Sequence, residues 1–513
     1  MKTRISGPWI IIILLTIFKL IIHFLTNTNY ELHRDAYLYL AMADHLDFGY
    51  LSVPPSIAYV GAVMRFFFGD SVFAVRLAPA LIGAASVAVI GMFVRELGGR
   101  SWAILIACLA FITSPAFLRS NTLFQPVTFN QFYWLLSSFF ILRLFKHRDP
   151  KYWYLIFSLW GLAFLNKYSI AFYAFSIVVA FLFSRERNLM LNKYFVQGLG
   201  IGFLIAFPNL MWQFRHNWPV VHHMLDLQQS QLIHVTIIDF FTMQILMNFP
   251  QIAVWVTGLI FLLCVAPGKE GRIFAYGYLI LLFTFIILRG KPYYTLGIYP
   301  VLFVAGAVAI EYFSATRLKF LKFLPVPLML ILLIPILPFS LPILQPEAMA
   351  VYGETSRNYG LAGALRWEDG QIHHLPQDYA DMIGWEEMAG IVINTYLNLP
   401  ADEQQNTTIY AENYGEAGAV KYFGKPYGLP EPVSFNESFL FWAPDSLNLT
   451  TLIYVNNDTA DIAYFFQEIK LMGRLTNPYA RERGIPVYLC RQPGNNFEQF
   501  YRQKVRELRS VYE

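Results

Sequence analysis

One carboxylate near the start of the chain has the type and position expected of a general base. Asp35 follows directly after the first long apolar run, and apolar residues recur after it at Tyr37, Leu40, Met42 and Leu46. This spacing predicts an amphipathic helix whose N-terminal N–H groups stabilise Asp35 as the anion. An ionised carboxylate is suited to taking a proton from a hydroxyl group. The alternative interpretation is that Asp35 only caps the helix.

Four basic side chains lie at the ends of apolar runs, where they could bind an anion. Lys167 ends the fifth run, Arg289 and Lys291 end the ninth, and Arg76 begins the second. Cations at these positions can bind a phosphodiester at the depth of the lipid headgroups. Basic side chains at such positions also extend to lipid headgroups without any catalytic role, and for Arg76 a structural ion pair is a further alternative.

Five uncharged or weakly basic side chains complete the candidate set. Tyr293 and Tyr294 could stack on a sugar, although aromatic belts at membrane interfaces explain such residues equally well. Gln125 and Asn130 could bond sugar hydroxyls or cap a helix end. His222 could bind an acceptor or a metal, while a surface histidine with neither role is the alternative.

The elements that must position these residues are set by an unusually apolar composition. Of the 513 residues, 56% are hydrophobic and only 14% are charged, against about 25% charged in an ordinary soluble protein. Long apolar runs dominate up to about residue 344, and the segment 345–513 has the composition of a soluble domain. The net charge is only +4, and the sequence has no basic patch of the kind that binds nucleic acid. The three cysteines fit neither a disulfide framework nor a CxxC metal site.

A membrane-spanning helix needs about 20 mainly apolar residues, and the sequence predicts eleven such spans. Residues 55–69 are apolar too, but this run is short and contains Arg65, so we predict that it lies at the membrane interface. The predicted spans are about 8–25, 75–95, 102–118, 127–145, 152–167, 169–184, 194–213, 241–265, 273–289, 294–313 and 323–344.

The basic loops predict the orientation of the chain. If 55–69 does not span and the N-terminus is cytoplasmic, all five basic loops are cytoplasmic, and if 55–69 spans, all five are outside. The positive-inside rule therefore predicts a cytoplasmic N-terminus and an extracytoplasmic C-terminal domain. The basic loops are Arg95/Arg100, Lys146 to Lys151, Arg185/Arg187/Lys193, Lys269/Arg272 and Arg317/Lys319/Lys322.

This orientation puts the candidate site residues on one side of the membrane. An enzyme acting at the extracytoplasmic face needs such a gathering, whereas a pore distributes polar residues through the membrane depth. The predicted architecture is thus a helical membrane domain, 1–344, followed by an extracytoplasmic α/β domain, 345–513.

The C-terminal segment alternates between patterns typical of strands and of helices. It carries no nucleophile elbow, Gly-rich phosphate loop or metal-ligand spacing. Strands are predicted within 407–415, 449–457 and 485–492, and helices within 416–424, 459–473 and 497–512.

Several stretches resemble the bacterial dolichyl-phosphate-mannose protein mannosyltransferase-like family, whose members are related to lipid A aminoarabinose transferases. The stretch HRDAYLYLAMADHLDFGYLSVPPSIAYV resembles the first periplasmic loop of that family. Further resemblance runs along the chain in GLAFLNKYSIAF, FPNLMWQFRHNWPVVHHM, LRGKPYYTLGIYPVLFVAGAVAIE, DYADMIGWEEMAGIVINTYLNLP and ENYGEAGAVKYFGKPYGLPEPVS. The resemblance implies the GT-C membrane glycosyltransferase fold.

This chain departs from the family pattern at three polar positions. Ala36 replaces the second acid of the Asp-Glu pair, Val53 stands where a histidine often precedes the Pro pair, and Asn130 stands where many relatives carry an acid. Each change removes a metal ligand, and divalent ions need several carboxylate or imidazole ligands. We therefore predict no obligatory metal and no other certain cofactor, with Asp35 as the remaining acid of its motif.

The resemblance implies a polyprenyl-phosphate sugar donor and an envelope acceptor: a lipid, a polysaccharide or a protein. Asp35 would be the base, the cations would bind the leaving phosphate, and the anomeric centre would be inverted. The implied location is the bacterial inner membrane, with membrane lipids and no nucleic acid as partners. The alternatives are a transporter or flippase of a lipid-linked sugar, which should show repeats or broken helices, and a non-catalytic scaffold.

Overall fold

The structure is a computed structural model that describes residues 7–230, 232, 236–265, 271–316 and 319–513. Lys269 and Arg317 of the predicted cytoplasmic loops lie outside the described residues. Helices dominate the described chain. They are α1 Gly7–Thr26, α2 Arg34–Asp44, α3 Ser56–Phe68, α4 Val72–Glu96, α5 Ser101–Ile112, α6 Pro115–Ser120, α7 Pro126–His147, α8 Tyr152–Phe164, α9 Ile170–Leu182, α10 Lys193–Arg215, α11 Pro219–Ser230, α12 Ile237–Leu246, α13 Ile252–Cys264, α14 Arg272–Ile287, α15 Tyr299–Thr316, α16 Pro325–Leu333, α17 Leu337–Ser340, α18 Pro346–Arg357, α19 Gln377–Ala380, α20 Trp385–Leu397, α21 Ala401–Gln404, α22 Tyr414–Gly424, α23 Phe439–Trp442 and α24 Phe497–Arg509.

Four strands near the C-terminus form one mixed sheet in the order β1-β2-β4-β3. The strands β1 and β2 pair in parallel, with Ile409 opposite Ile453, while β4 pairs antiparallel with both β2 and β3. Helices precede and follow the strands, so the predicted α/β character of this segment is confirmed. The strand bounds are β1 Thr407–Ala411, β2 Thr451–Val455, β3 Phe466–Arg474 and β4 Pro486–Pro493.

The predicted helix over 459–473 is wrong, because this segment contains the edge strand β3. Apolar residues at Ile462, Phe466 and Ile469 have a spacing close to that of a helix face. In the structure, Phe466 pairs with Pro493 and Ile469 with Cys490 of β4. Pairing with a strand about twenty residues away satisfies the backbone, and this long-range contact overrides the local periodicity.

The chain divides into two compact units that alternate along the sequence. Unit 1 comprises 1–27, 76–210 and 224–341, and unit 2 comprises 28–75, 211–223 and 342–513. Unit 2 therefore joins the segment around Asp35 to the whole C-terminal segment. The division of the chain into a membrane domain and an extracytoplasmic domain near residue 344 stays a prediction.

Unit 1 is a helical bundle in which small residues allow close helix packing. A Cβ added at Gly258 of α13 would lie 2.1 Å from the carbonyl oxygen of Leu302, and one at Gly306 of α15 would lie 1.9 Å from that of Val254. Glycines at both crossings bring the two backbones into direct contact, as is common in membrane helix pairs.

Within the described residues, four helices are long and apolar enough to cross a membrane. They are Gly7–Thr26, Val72–Glu96, Lys193–Arg215 and Pro292–Ala315, and a pair bent by 71°, Ile237–Leu246 with Phe249–Cys264, would make a fifth. The protein is thus a multi-pass membrane protein.

The remaining predicted spans correspond to helices, but most of these are short. Shorter apolar helices lie in five of the predicted spans, at Ser101–Ile112, Tyr152–Phe164, Ile170–Leu182, Arg272–Ile287 and Leu321–Leu333. The total of eleven spans stays a prediction. Helix α3 has 13 residues and is about 20 Å long, less than the roughly 30 Å hydrocarbon core, so its interfacial location also stays a prediction.

Helix α2 is the central element of unit 2. Every residue from Ala36 to Met42 is buried, so the predicted single apolar face on this helix is wrong, and Leu46 beyond its end is exposed. The helix packs closely on α22, where a Cβ added at Gly418 would lie 2.8 Å from the Tyr37 backbone. The residues at the start of α2 are consequently held by neighbours on several sides.

Candidate functional site

Asp35 lies in the first turn of α2, and its neighbour His33 caps that helix. The Asp35 backbone N–H donates to His33 Nδ1 at 3.2 Å, and His33 has extended backbone angles typical of an N-cap. The alternative in which Asp35 itself caps the helix is therefore wrong. Its carboxylate side chain is 26% exposed, so it is available for chemistry.

One oxygen of Asp35 has a strong hydrogen-bond donor. The Tyr414 hydroxyl donates to Asp35 Oδ1 at 2.7 Å, and the Arg34 guanidinium lies 4.7 Å from the centre of the Tyr414 ring. Burial and the charge of Asp35 raise the pKa of Tyr414 well above its usual value. Tyr414 therefore stays protonated and donates to the carboxylate throughout the physiological pH range.

His33 faces a second pair of acids with its other ring nitrogen. Nε2 lies 3.6 Å from Asp381 Oδ2 and 4.0 Å from Asp378 Oδ1, and Arg481 Nη1 lies 3.1 Å from both Asp381 oxygens. One potential metal-ligand atom from each of His33, Asp378 and Asp381 lies within 4.8 Å of the others.

The tautomer of His33 argues against a metal at this cluster. Nδ1 accepts the Asp35 N–H, so in the neutral ring the proton is on Nε2, which faces the two acids. A metal at Nε2 would need that lone pair, and ligating histidines ordinarily donate from their other nitrogen. With the proton on Nε2, the ring presents an N–H to the Asp381 carboxylate at 3.6 Å, an electrostatic contact longer than a hydrogen bond.

A further carboxyl group, Glu437, lies near Asp35 in an uncommon backbone conformation. Its φ is 53°, in the left-handed region that non-glycine residues rarely adopt. Burial and the charge of Asp35 raise the pKa of Glu437 to about 7, while a hydrogen bond from Ser52 opposes the shift. His223 Nδ1 lies 3.9 Å from its Oε1.

In unit 1, the structure brings one candidate cation, Lys167, close to the tyrosine pair. Lys167 follows α8, and its Nζ lies 5.7 Å from the centre of the Tyr294 ring. Tyr293 and Tyr294 form an edge-to-face pair with centroids 4.9 Å apart, and Pro292 separates them from Lys291 in the sequence. Arg289 is exposed and has a φ of 51° at the end of α14.

Two other candidates of unit 1 have structural partners. Arg76 is buried and donates to the Asn27 carbonyl oxygen at 2.7 Å, which argues for structural pairing rather than extension to headgroups. Asn130 is buried too, donating to Ser169 Oγ at 3.2 Å and accepting from Trp134 Nε1 at 3.1 Å. Gln125 is the N-cap residue of α7, but its side chain makes no capping hydrogen bond.

His222 lies in unit 2 on the exposed helix α11. Its Nε2 is 3.1 Å from the Asn217 carbonyl oxygen, and its ring packs edge-on against Tyr512 at 5.9 Å. These contacts are those of a surface histidine with local partners.

Sequence reasoning missed Tyr414, Asp381 and Glu437. Each lies more than 340 residues from Asp35 along the chain. The first two fall in stretches that resemble the family, but no spacing signal connects them to Asp35.

Comparison with known proteins confirms the family resemblance. A family model described as dolichyl-phosphate-mannose-protein mannosyltransferase matches residues 52–212. The chain is 24% identical over 213 residues to the lipid A galacturonosyltransferase RgtD of Rhizobium johnstonii, a match that covers 40% of this chain and only 44% of the relative.

Solved structures of ArnT from Cupriavidus metallidurans share the fold. The structure bound to undecaprenyl phosphate has a TM-score of 0.64 at 15% identity, over 94% of this chain and 98% of that one. The apo structure has a TM-score of 0.61 at 15% identity, over 94% and 97% of the two chains. The predicted GT-C fold is thereby confirmed.

Proposed function

We propose that this protein is a membrane glycosyltransferase that transfers a sugar from a polyprenyl-phosphate donor to an acceptor in the cell envelope. The observation that carries the proposal is the partly exposed Asp35 carboxylate, bonded at one oxygen by Tyr414 and anchored at the start of a buried helix. The resemblance to the mannosyltransferase family and to RgtD supports the reaction class.

In the proposed reaction, Asp35 accepts the proton of the acceptor hydroxyl as that oxygen attacks the anomeric carbon. The bond from the anomeric carbon to the phosphate oxygen breaks, and the electron pair leaves with the polyprenyl phosphate. Attack from the face opposite to the leaving group inverts the anomeric centre. The Tyr414 hydroxyl donates to Asp35 Oδ1 and thereby orients the carboxylate that takes up the proton.

The leaving phosphate needs positive charge in the transition state. Lys167 over Tyr294, together with Lys291 and Arg289, forms the proposed phosphate site. The ArnT structure with undecaprenyl phosphate supports a donor of this class for the shared fold. Arg76 and Asn130 are assigned structural roles in this proposal because of their buried partners.

The acceptor is proposed to be a lipid of the cell envelope. RgtD is described as acting on lipid A, and this chain matches part of it. Envelope polysaccharide and protein are the alternative acceptors. The reaction would occur on the extracytoplasmic face of the bacterial inner membrane, in keeping with the charge pattern of the loops.

A transporter of a lipid-linked sugar is the alternative function. Two observations relate to it: helices α12 and α13 are bent by 71° at their junction, and Lys19 and His23 are fully buried on one face of α1. Lys19 Nζ donates to the Phe117 carbonyl oxygen at 3.4 Å, and His23 Nδ1 lies 3.4 Å from Thr122 Oγ1. Lys19 Nζ and His23 Nδ1 thus each have a local partner, and the resemblance to RgtD favours transfer over transport.

The experiment uses the purified protein in lipid nanodiscs with undecaprenyl-phosphate-linked hexoses, hexuronic acids and aminopentoses. An envelope glycolipid fraction, a polysaccharide fraction and a peptide mixture serve as separate acceptors. We expect one donor to release undecaprenyl phosphate with a matching gain of sugar mass on one acceptor. Movement of intact donor across the bilayer of a proteoliposome, with no sugar transferred, would support the transporter instead.

A further inference from the structure

We propose that the C-terminal segment 342–513 acts as the positioning element of Asp35, through Tyr414 on the carboxylate and through a His33–Asp381–Arg481 chain on the helix start. The inference rests on the proposed role of Asp35 as base. It gives the C-terminal segment a part in the chemistry, beyond any contact with an acceptor.

The first connection is direct. Tyr414 is the first residue of α22, and its hydroxyl is 2.7 Å from Asp35 Oδ1. The start of α22 is itself fixed by a capping box, in which Asn413 Oδ1 accepts from the N–H groups of Gly415 and Glu416. The Tyr414 backbone N–H also donates to Asn436 Oδ1 at 3.2 Å. The hydroxyl is therefore held by a rigid helix start.

The second connection passes through the histidine cap. His33 is 6% exposed, and its ring lies between the Asp35 N–H on one side and Asp381 on the other. Asp381 is 2% exposed and is held by Arg481, so its carboxylate has a fixed orientation. The imidazole thus has a hydrogen bond at Nδ1 and an electrostatic contact with Asp381 at Nε2, and together these position the first turn of α2.

The segments 31–34 and 381–386 also form hydrogen bonds with each other in both directions. The Arg34 N–H donates to the Asp381 carbonyl oxygen at 3.0 Å. In return, the Glu31 carboxylate accepts from the N–H groups of Gly384, Trp385 and Glu386 at the start of α20, at 3.0, 2.8 and 3.1 Å. Because each segment is hydrogen-bonded to the other, a displacement of residues 381–386 would also displace Asp35.

The pH profile of transfer tests the Tyr414 contact directly. Removal of the Tyr414 hydroxyl takes away a hydrogen bond that stabilises the ionised Asp35 carboxylate more than the protonated acid. The titratable and charged groups that act on Asp35 in unit 2 are His33, Arg34, Tyr39, Tyr414 and Glu437.

The test compares Tyr414→Phe, His33→Ala and His33→Asn with Tyr464→Phe, a control at a 93% exposed tyrosine of the same unit. Transfer is measured from pH 4 to pH 9 with the donor that the wild type uses, and folding is checked by thermal unfolding. We expect Y414F to move the acidic limb of the kcat/KM profile upward by about one pH unit. We expect H33A to lower kcat at least tenfold with little change in the KM for the donor, and H33N, which restores the cap acceptor, to recover most of the loss.

Two results would overturn the inference while the wild type still transfers sugar. One is a Y414F profile superimposable on that of wild type together with full kcat in H33A. The other is one equivalent of metal bound by wild type and lost in H33A, since His33 would then be a ligand. A wild type with no transfer from any donor would instead contradict the proposed function itself.

Discussion

At the residue scale, the proposed chemistry depends on which side chains act on the substrate and which only position other residues. Asp35 has a side chain that is 26% exposed and accepts a hydrogen bond from Tyr414 at Oδ1, which suits a general base. Asn130, Arg76 and His222 have partners that account for them without a substrate. The sequence left a structural alternative open for each of these residues, and their contacts distinguish between the alternatives.

The phosphate site gives the first prediction. Lys291→Gln and Lys167→Gln should each raise the KM for the polyprenyl-phosphate donor by about 10- to 100-fold, because a charge-assisted contact to the phosphate is lost. Steady-state kinetics at varied donor concentration measure this. Lys470→Gln, in the edge strand β3, is the matched control and should leave the KM unchanged. An unaltered donor KM in both variants would contradict the assigned site.

Asp35 could be selected from the sequence as an acid at a predicted helix start after a membrane span, and the family resemblance implied its role as base. Its partners could not, since Tyr414 and Asp381 meet it only through tertiary folding over more than 340 residues. His33 lies two residues before Asp35 in the sequence, but its role as the helix N-cap depends on a backbone conformation that the sequence does not specify.

At the element scale, helix α22 determines whether Tyr414 reaches Asp35. Glu416 in its first turn is buried, and burial raises the pKa of this carboxyl to about 8. Its Oε2 accepts from the Asn413 N–H at 3.3 Å as part of the capping box. The helix start therefore contains an acid that is neutral in the folded protein at pH 7.

This buried acid predicts a pH-dependent stability. The folded pKa of Glu416 is above the unfolded value near 4.5, so the folded state binds more protons between about pH 4.5 and 8, and stability falls as the pH rises through that window. Glu416→Gln keeps an acceptor for the cap but removes the titration. We expect thermal unfolding at pH 8 to show E416Q more stable than wild type by at least about 1 kcal/mol, with a smaller gap at pH 5. A gap of the same size at both pH values, or one shared by the exposed control Glu507→Gln, would contradict the explanation.

The contact between α2 and α22 gives a packing prediction. In Gly418→Ala the new Cβ would lie 2.8 Å from the Tyr37 backbone, so the two helices must separate. We expect a loss of about 1–3 kcal/mol in stability and a lower kcat for sugar transfer. Gly390→Ala in α20 has no atom within 4 Å and should be neutral or slightly stabilising, because alanine favours a helix. Equal melting temperatures of G418A and wild type would show that the contact is looser than described.

Long apolar runs made most helices predictable, because burial in a bundle or a bilayer follows directly from composition. The edge strand β3 was not predictable, since its apolar spacing fits a helix and only pairing with β4 specifies a strand. Helix α2 was predicted correctly in position but not in burial. Its second face is covered by α22, whose sequence lies far away.

At the scale of the whole molecule, composition divides the chain once, near residue 344, whereas the compact units interleave. Residues 28–75 and 211–223 belong with the C-terminal segment in unit 2. Contacts such as Arg34 N–H to the Asp381 carbonyl oxygen produce this grouping, and no local property of the sequence reports them.

The orientation predicted from the basic loops is testable by cysteine labelling in spheroplasts. On a Cys264→Ser background, which removes the exposed native thiol, Tyr464→Cys should react with a membrane-impermeant maleimide without lysis. Lys151→Cys, in a predicted cytoplasmic loop, should react only after permeabilisation. The reverse pattern would place the C-terminal segment in the cytoplasm.

The central claim is that Asp35 is the base of a sugar transfer from polyprenyl phosphate. It is tested most directly by the transfer rate of purified Asp35→Asn against wild type, with Asp402→Asn, an exposed acid of unit 2, as the control. The account predicts that D35N loses about 10²- to 10⁴-fold in kcat while its melting temperature and donor KM stay close to those of wild type and D402N. A folded D35N that transfers sugar at the wild-type rate would contradict it.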